Sequence, residues 1–264
     1  MAEIIIVRDP IEAGSVAASI FAQQITTNPA TVLGLATGST PLTTYAALAS
    51  VVEEGAIDVS GVRGFALDEY LGVPPEHPES YRSVITREVV EPLGLNPDHV
   101  FTPRGTGPDI TQAGDEYEAM IADAGGIDIQ ILGIGSNGHV GFNEPGSSLA
   151  SSTRIKALAE QTRRDNARFF DSPDQVPTHC ITQGLGTILK ARQLVLLAFG
   201  ANKAQAVAAA LEGPVSAAVP GSVIQQHPRT TVIIDEAAAA GLAHAEYYRH
   251  AWRSAQELHE VVGF

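Results

Sequence analysis

Six short apolar runs, spread over the whole chain, constrain the fold more than any other feature of the sequence. They are EIIIV (3–7), TVLGL (31–35), VRGFAL (62–67), IDIQILG (127–133), QLVLLAF (193–199) and TTVII (230–234). Several are apolar at consecutive positions, as strands buried on both faces of a parallel sheet should be. Helical patterns lie between them, at 41–55, 110–125 and 202–213. This alternation predicts an α/β fold: a single-domain, open, mostly parallel sheet with helices on both faces, Rossmann-like in its layout.

The length and charge of the chain limit its partners. Its 264 residues suffice for one large α/β domain, and we expect residues 1–264 to form it. The formal net charge of −14 disfavours nucleic acid and anionic membranes, because both require basic surfaces. The single cysteine, Cys180, permits no intramolecular disulfide, and MAEIIIVRDP at the N-terminus lacks a signal-peptide pattern. With no run near the ~18 apolar residues of a membrane span, we expect a soluble, cytoplasmic protein.

A small-residue turn, ATGSTP (36–41), follows the second apolar run. In open α/β sheets, ligands bind beyond the carboxyl ends of the strands, so this turn is placed for binding. Pro41 can begin a helix, and the amides of Gly38, Ser39 and Thr40 would then face an anion. Alternatively, Ser39 or Thr40 caps its own helix, and the turn binds nothing.

An acidic pair, Asp68 and Glu69, follows the third run in ALDEYLG (66–72). Alternating side-chain directions place the two carboxylates on opposite sides, so one of them should face a cleft. A general base is one interpretation of Asp68, provided that its surroundings tune its pKa. A solvated turn acid is the other.

The segment LGIGSNGHVGFNEPG (132–146) poses a choice between a cofactor loop and a catalytic loop. The glycines of GIGSNG match the G-x-G-x-x-G pattern of dinucleotide-binding loops. However, no acid follows ~20 residues later to hold a ribose, and NEPG (143–146) would break the helix that should begin at the third glycine.

A loop that presents Asn137, His139 and Glu144 is therefore the better interpretation. A histidine beside an amide and a carboxylate suits proton transfer, because such partners fix its tautomer and tune its pKa. An ordinary loop histidine is the alternative. No second histidine stands at ligand spacing, so we predict no metal site.

Basic residues are few, and some of them follow predicted strands. Grouped at strand ends, they would form a phosphate clamp in an otherwise acidic protein; dispersed, they are ordinary surface charges. They are Arg154, Lys156, Arg163, Arg164, Arg168 and Lys203. Three of them lie in the polar segment 159–180, which we call the lid segment. It is either a helical lid over the sheet edge or an ordinary surface helix.

Together, these segments resemble the glucosamine-6-phosphate deaminase family over almost the whole chain. The order and spacing of several blocks carry the resemblance. The blocks are ATGSTPLTTYAAL (36–48), LDEYLGVPPEHPESYRS (67–83), GIGSNGHVGFNEPGSSLASSTRIK (133–156), TRRDNARFFD (162–171), QVP (175–177), ITQGLGTIL (181–189) and GANKAQAV (200–207).

The resemblance implies a hydrolytic deamination coupled to an aldose–ketose isomerisation in amino-sugar catabolism. D-glucosamine 6-phosphate and water would give D-fructose 6-phosphate and ammonia, with no metal, nucleotide or organic cofactor. By similarity, His139 assists opening of the sugar ring, while Asp68 takes a proton from C2 and delivers one to C1. Asn137 and Glu144 flank His139 and set its orientation and charge. Some family members carry Asp in place of Asn137, so the stabilising charge should fall more heavily on Glu144.

The resemblance also implies two phosphate-recognising sites. The substrate phosphate would contact Gly38, Ser39, Thr40, Arg168 and Lys203. Some members are hexamers activated by N-acetylglucosamine 6-phosphate at a subunit interface, and Ser147, Arg154 and Lys156 match part of that effector site. Activation and a homo-oligomer are therefore expectations, although the C-terminal region from residue 241 matches the family poorly.

Three other functions compete with this one. A 6-phosphogluconolactonase also has a glycine-rich loop with a histidine, but NEPG (143–146) and the block at 67–83 resemble the deaminases. A non-catalytic sugar-phosphate sensor would not need Asp68, His139 and Glu144. An NAD-binding protein would need the ribose acid and the helix that the sequence lacks.

Overall fold

A seven-stranded parallel sheet forms the centre of the molecule in the computed structural model, which describes residues 2–170 and 172–262. The strands of the chain are β1 (Glu3–Val7), β2 (Val32–Leu35), β3 (Arg63–Ala66), β4 (Asp68–Tyr70), β5 (Val100–Phe101), β6 (Ile129–Gly133), β7 (Arg154–Ala157), β8 (His179–Thr182), β9 (Gln193–Ala198) and β10 (Thr230–Asp235). The large sheet has the order β1-β10-β9-β6-β2-β3-β5, and all its neighbouring strands pair in parallel. The predicted α/β class and parallel sheet are confirmed.

Helices cover this sheet. They are α1 (Pro10–Thr27), α2 (Leu42–Glu53), α3 (Tyr81–Ile85), α4 (Glu91–Leu93), α5 (Ala113–Asp123), α6 (Glu160–Asn166), α7 (Leu185–Ile188), α8 (Ala204–Leu211) and α9 (Ala245–Val262). Asp9 caps α1 by accepting the amides of Ile11 and Glu12, and Pro10 begins the helix without needing an amide partner. In residues 2–170 and 172–262, no helix combines the length and the apolar character that a membrane crossing requires.

The six predicted apolar runs are the long strands of this sheet, and they are buried because helices cover them. Strand β2 is buried at all of its residues, as is β10. Burial on both faces explains their continuous apolar sequences. The sequence patterns do not predict helix α1, helix α9 or the four strands β4, β5, β7 and β8.

A second, three-stranded antiparallel sheet, β4-β8-β7, lies beside the carboxyl edge of the large one. In its register, Thr182 of β8 lies opposite Asp68 of β4 on one side and Arg154 of β7 on the other. This small sheet joins the chain after β3 to the end of the lid segment.

The lid segment is partly helical, as predicted, but its predicted bounds are wrong at the C-terminal end. It contains α6, a 3-10 turn at Ala167–Phe169 and another at Pro173–Gln175. Residues 179–180 belong to strand β8, because they pair with Ala157 and Lys156 of β7. Cys180 is buried in the small sheet. Asp171, also within the predicted segment, lies outside the described residues.

Candidate active site

A cleft of about 270 Å³ opens at the carboxyl edge of the sheet, where the chain directions diverge. Strands β2 and β6 are neighbours, but the chain leaves β2 towards β3 and leaves β6 towards β9. Such a switch point leaves a crevice between the loops that follow the two strands. The four adjacent strands β3, β2, β6 and β9 therefore deliver their following residues to one place. Those residues include Asp68, Gly38, Ser39, Thr40, His139 and Lys203, and all of them line the cleft.

Asp68 lies at the floor of the cleft and is almost completely buried. Burial raises the pKa of its carboxyl to about 8, and the charge of Glu69 adds to the shift. The Thr182 hydroxyl, 3.5 Å from Oδ2, and the amide of Phe142 act in the opposite direction. A carboxyl with such a pKa can exchange protons near neutral pH, which an ordinary surface aspartate cannot do.

Glu69 points away from the cleft and serves the backbone instead. Its Oε1 accepts the amides of Tyr70 at 2.7 Å and Tyr81 at 2.9 Å, and its Oε2 accepts the amide of Arg82 at 2.9 Å. The bonds from Tyr81 and Arg82 satisfy amides at the start of α3 that have no partner within the helix. The two adjacent acids thus have different environments, as alternation along a strand requires.

The loop after β6 holds His139 against its own backbone. The amide of Gly135 donates to the carbonyl of His139 at 2.9 Å, which closes the loop. A Cβ added to Gly135 would lie 2.3 Å from Cε1 of the imidazole, so the ring requires glycine at that position. Gly138, with φ of +86°, makes the turn that reverses the chain. No helix follows the third glycine, because residues 139–146 continue as turns.

Asn137 connects His139 to Glu144 by hydrogen bonds whose directions are fixed. The Glu144 carboxylate can only accept, so the amide Nδ2 of Asn137 must face it, at 2.8 Å from Oε2. The amide oxygen Oδ1 then faces His139 and lies 2.7 Å from Nδ1. Nδ1 must therefore carry a proton, which leaves Nε2 of the neutral ring as the nitrogen that can accept one.

Glu144 is buried and ionised. Burial alone would raise the pKa of its carboxyl, but hydrogen bonds from His139 and Thr162, the charge of His139 and the Asn137 amide lower it to about 2. Its Oε2 lies 3.5 Å from Nδ1 of His139, close enough to stabilise an imidazolium. Asn137 and Glu144 lie behind the histidine, whereas His139 lines the cleft.

Another part of the cleft lining, which we call the anion end, is suited to an anion. The turn at Gly38, Ser39 and Thr40 precedes α2, and α2 has Pro41 at its N-cap with no side-chain cap, so neither hydroxyl caps the helix. Within the part of the chain that the structure describes, the amides of these three residues donate no hydrogen bond. They remain available for an anion at the start of α2.

Two cations, Arg168 and Lys203, line the same end of the cleft. Burial lowers the pKa of Lys203, and the nearby charge of Arg168 lowers it further, while Asp165 opposes the shift. A dianion bound between these two like charges would stabilise both of them. Arg163 and Arg164 do not line the cleft: Arg163 donates to the carbonyl of Val176, and Arg164 is exposed and paired with Glu160.

An aromatic wall of the cleft is a feature that sequence reasoning missed. Tyr70 packs against Tyr81, with ring centroids 4.7 Å apart, and Tyr81 stacks on Phe142 at 6.0 Å. Phe170 of the lid segment packs edge-on against Tyr70. All four side chains line the cleft. The presence of Tyr70, Tyr81 and Phe142 in DEY, ESY and GFN is a signal, but apolar rings at strand ends are more often core residues.

The three candidate effector residues lie outside the cleft. Arg154 and Lys156 are two residues apart on β7, so they share a face of the small sheet. Ser147 is buried, and its hydroxyl has no hydrogen-bond partner among the described residues. The structure thus separates these residues from Asp68 and His139, as two different sites would require.

The switch-point cleft, lined by an anion turn, an aspartate and a histidine, defines an α/β enzyme that acts on a small anionic molecule. Comparison with known proteins gives the particular family. The chain belongs to the glucosamine-6-phosphate isomerases/6-phosphogluconolactonase family, whose sequence profile matches residues 12–233. This confirms the family resemblance.

Relatives that match almost the whole chain include glucosamine-6-phosphate deaminases. A glucosamine-6-phosphate deaminase of Bifidobacterium longum (strain DJO10A) is 61% identical over 261 residues, covering 96% of this chain and 97% of that protein. One from Streptomyces avermitilis is 57% identical over 251 residues, covering 95% and 96%.

Solved structures agree with this placement. A monomeric glucosamine-6-phosphate deaminase superposes with a TM-score of 0.89 at 38% identity, over 91% of this chain and 100% of that one. The 6-phosphogluconolactonase of Trypanosoma brucei superposes with a TM-score of 0.73 at 20% identity, over 92% and 99%. The second likeness extends to the fold alone.

Proposed function

We propose that this chain is a glucosamine-6-phosphate deaminase, which converts D-glucosamine 6-phosphate and water to D-fructose 6-phosphate and ammonia. The observation that carries the proposal is the arrangement of one cleft. One cleft is lined both by the turn at Gly38–Thr40 with two cations, Arg168 and Lys203, and by the proton-transfer residues Asp68 and His139. A phosphate held at one end fixes where C1 and C2 of the sugar lie at the other, so binding also orients the reacting atoms.

His139 opens the sugar ring in this proposal. Because Nδ1 carries the proton shared with Asn137, Nε2 accepts the proton of the C1 hydroxyl, and the ring oxygen O5 receives a proton as the C1–O5 bond breaks. The imidazolium formed between these two transfers lies beside ionised Glu144, whose charge stabilises it.

Asp68 performs the isomerisation. Its carboxylate takes the proton from C2, and the C–H electrons form a C1–C2 double bond while O1 takes a proton from the cationic amino group at C2, which leaves the nitrogen with a lone pair. The same carboxyl returns a proton to C1, and the nitrogen lone pair forms an imine at C2. A cationic amino group beside Asp68 favours the ionised form of a carboxyl whose pKa burial has raised to about 8.

Hydrolysis of the imine completes the reaction. Water adds to C2, the C–N bond breaks and ammonia leaves, so the oxygen of water becomes the ketone oxygen of fructose 6-phosphate. No electron acceptor is needed, because C1 is reduced as C2 is oxidised within one molecule. The chemistry uses only proton transfers, which the side chains of the cleft can supply.

The experiment that tests this function measures ammonia and fructose 6-phosphate released from glucosamine 6-phosphate. Equal amounts of both products, lost in Asp68→Asn, are the expected result. A wild-type protein that releases neither product, but hydrolyses 6-phosphogluconolactone, would transfer the chain to the lactonase side of its family. A wild-type protein that binds sugar phosphates without turning either over would be a sensor.

Activation by N-acetylglucosamine 6-phosphate at Ser147, Arg154 and Lys156 is a separate proposal. The unpartnered hydroxyl of buried Ser147 and the two cations on β7 support it. Register partners link Arg154 through Thr182 to Asp68, so a ligand on β7 would act on the strand that carries the base. Arg154→Gln should abolish the effect of the activator on the rate curve. A hyperbolic curve that the activator leaves unchanged in the wild type would refute activation, and sedimentation would give the oligomeric state.

A further inference from the structure

The Glu144 carboxylate receives hydrogen bonds from two separate parts of the chain. Its Oε2 faces its own loop, where Asn137 Nδ2 lies at 2.8 Å and His139 Nδ1 at 3.5 Å. Its Oε1 faces the lid segment, where the hydroxyl of Thr162 donates at 2.5 Å and the amide of Ala159 at 3.3 Å. The donors to one oxygen therefore depend on where the lid segment lies.

The bond between Thr162 and Glu144 is buried and charge-assisted. Thr162 is 4% exposed and Glu144 is 7% exposed. A hydroxyl has one proton, and Thr162 gives it to this carboxylate. Hydrogen bonds to ionised groups are shorter and stronger than neutral ones. Removing the donor would leave a buried, charged oxygen with only the longer bond from Ala159, which is costly.

The same stretch of the lid segment also reaches the anion end of the cleft. Arg168 follows Thr162 in this stretch and lines the cleft beside Lys203. Between them, Asn166 Nδ2 donates to the hydroxyl of Tyr70 at 2.9 Å, and Phe170, two residues after Arg168, packs edge-on against the same ring. Thr162 and Arg168 thus lie on one short piece of chain that contacts Tyr70 of the aromatic wall.

We propose that Thr162 is a positioning residue for Glu144. Through Thr162, the orientation of the His139–Glu144 pair depends on how the lid segment packs against the cleft. This inference rests on the proposed function, because it assigns the pair to ring opening. A phosphate bound by Arg168 would hold the segment in place, and Thr162 would transmit that placement to the acid–base pair.

The titratable groups that face Glu144 are His139 and the buried thiol of Cys180. Burial raises the pKa of that thiol, and the charges of Asp68 and Glu144 raise it further, so the thiol stays neutral. The ionisation of Glu144 is therefore governed by His139 and by neutral donors, among which Thr162 has the shortest bond. Loss of Thr162 should raise the pKa of Glu144.

The test compares Thr162→Val, which replaces the hydroxyl by a methyl group of similar size, with Thr162→Ser, which keeps a hydroxyl. Thr178→Val is the matched control, because Thr178 is exposed in the same segment and does not line the cleft. For each protein, ¹³C NMR titrates the Glu144 carboxyl, whose signal is assigned by its absence in Glu144→Gln. Steady-state kinetics then give kcat, KM and the pH profile, and thermal melting checks the fold.

We expect Thr162→Val to raise the pKa of Glu144 and to lower kcat about ten- to a hundredfold, the range for a hydrogen bond to a charged group. KM should change less, because Arg168 and Lys203 are intact. Thr162→Ser should recover most of the rate, and Thr178→Val should match the wild type. If Thr162→Val does not fold, Thr162→Ala carries the same comparison.

The inference would be overturned if Thr162→Val left unchanged both the titration of the Glu144 carboxyl and the low-pH side of the pH–rate profile. It would also be overturned if Thr162→Ser lost as much kcat as Thr162→Val. The titration needs no turnover, so it separates this inference from the proposed function. A wild type that makes no ammonia would refute the function, whereas the NMR result would still decide whether Thr162 positions Glu144.

Discussion

Gly135 lies directly against the imidazole of His139, where a Cβ would stand 2.3 Å from Cε1 and 2.4 Å from Nδ1. We therefore expect Gly135→Ala to displace the ring and to lower kcat about a hundredfold or more, since misplacement by an ångström can cost that much. Steady-state assay of the purified variant measures the loss. Gly133→Ala is the matched control, because a Cβ there meets no atom within 4 Å. Similar losses in both variants would contradict the steric explanation.

Asp68→Asn should abolish activity and stabilise the fold at neutral pH. The pKa of Asp68 is raised in the folded protein to about 8, whereas an unfolded aspartate has a value of about 3.9. The folded state therefore binds the extra proton, and wild-type stability falls as pH rises between these values. The advantage of the variant in Tm should be absent near pH 4, grow to about 5 °C or more by pH 8 and then level off.

Thermal melts at a series of pH values measure that advantage. Glu69→Gln does not serve as its control, because Glu69 also anchors α3. A Tm difference that is the same at every pH would show that Asp68 is already ionised in the folded protein, contrary to the raised pKa.

Glu144→Gln should shift the pH–rate profile of ring opening to lower pH. The variant removes the negative charge 3.5 Å from Nδ1, so the imidazolium loses its stabilising neighbour. Asn137→Asp is the converse variant, because it adds a negative charge beside the same nitrogen. It should shift the pH–rate profile to higher pH. Profiles of kcat/KM for the three proteins test both directions, and identical profiles would remove Glu144 from the acid–base pair.

Arg168→Gln and Lys203→Gln should each raise KM for glucosamine 6-phosphate about ten- to a hundredfold, since each removes a charge-assisted contact to phosphate. The expected change in kcat is larger for Arg168→Gln, because Arg168 lies in the lid segment, whose Thr162 donates a hydrogen bond to Glu144. Arg164→Gln is the control within that segment: Arg164 is exposed and pairs with Glu160. An effect of Arg164→Gln as large as that of Arg168→Gln would argue for general electrostatic attraction instead of a specific site.

The large sheet is well predicted by the sequence because burial on both faces leaves a simple pattern. Strands such as β2 and β10 are apolar at nearly every residue, and the carboxyl ends of parallel strands meet at one edge. This rule is enough to place Asp68 and His139 together from the sequence alone. Their roles in catalysis remain predictions.

The small sheet and the contacts of the lid segment are not predictable in this way, because they depend on residues far apart in the sequence. Strand β4 has three residues, too few to show a period. The bond from Asn166 to Tyr70 joins residues 96 positions apart. Likewise, nothing in the local sequence distinguishes Glu69, which anchors α3, from a surface acid.

The glycines of GIGSNG have a consequence for how such loops are recognised. In a dinucleotide fold, the equivalent glycines clear room above a strand end for a pyrophosphate. Here the cleared room is already taken by an imidazole that the same loop holds through the bond from Gly135 to the carbonyl of His139. A diffusing nucleotide would therefore have to displace a side chain that the loop itself holds in place. The glycine pattern therefore indicates only that no side chains occupy the space beside this backbone. The group that lies in that space decides whether a protein of this architecture binds a nucleotide or carries out acid–base catalysis.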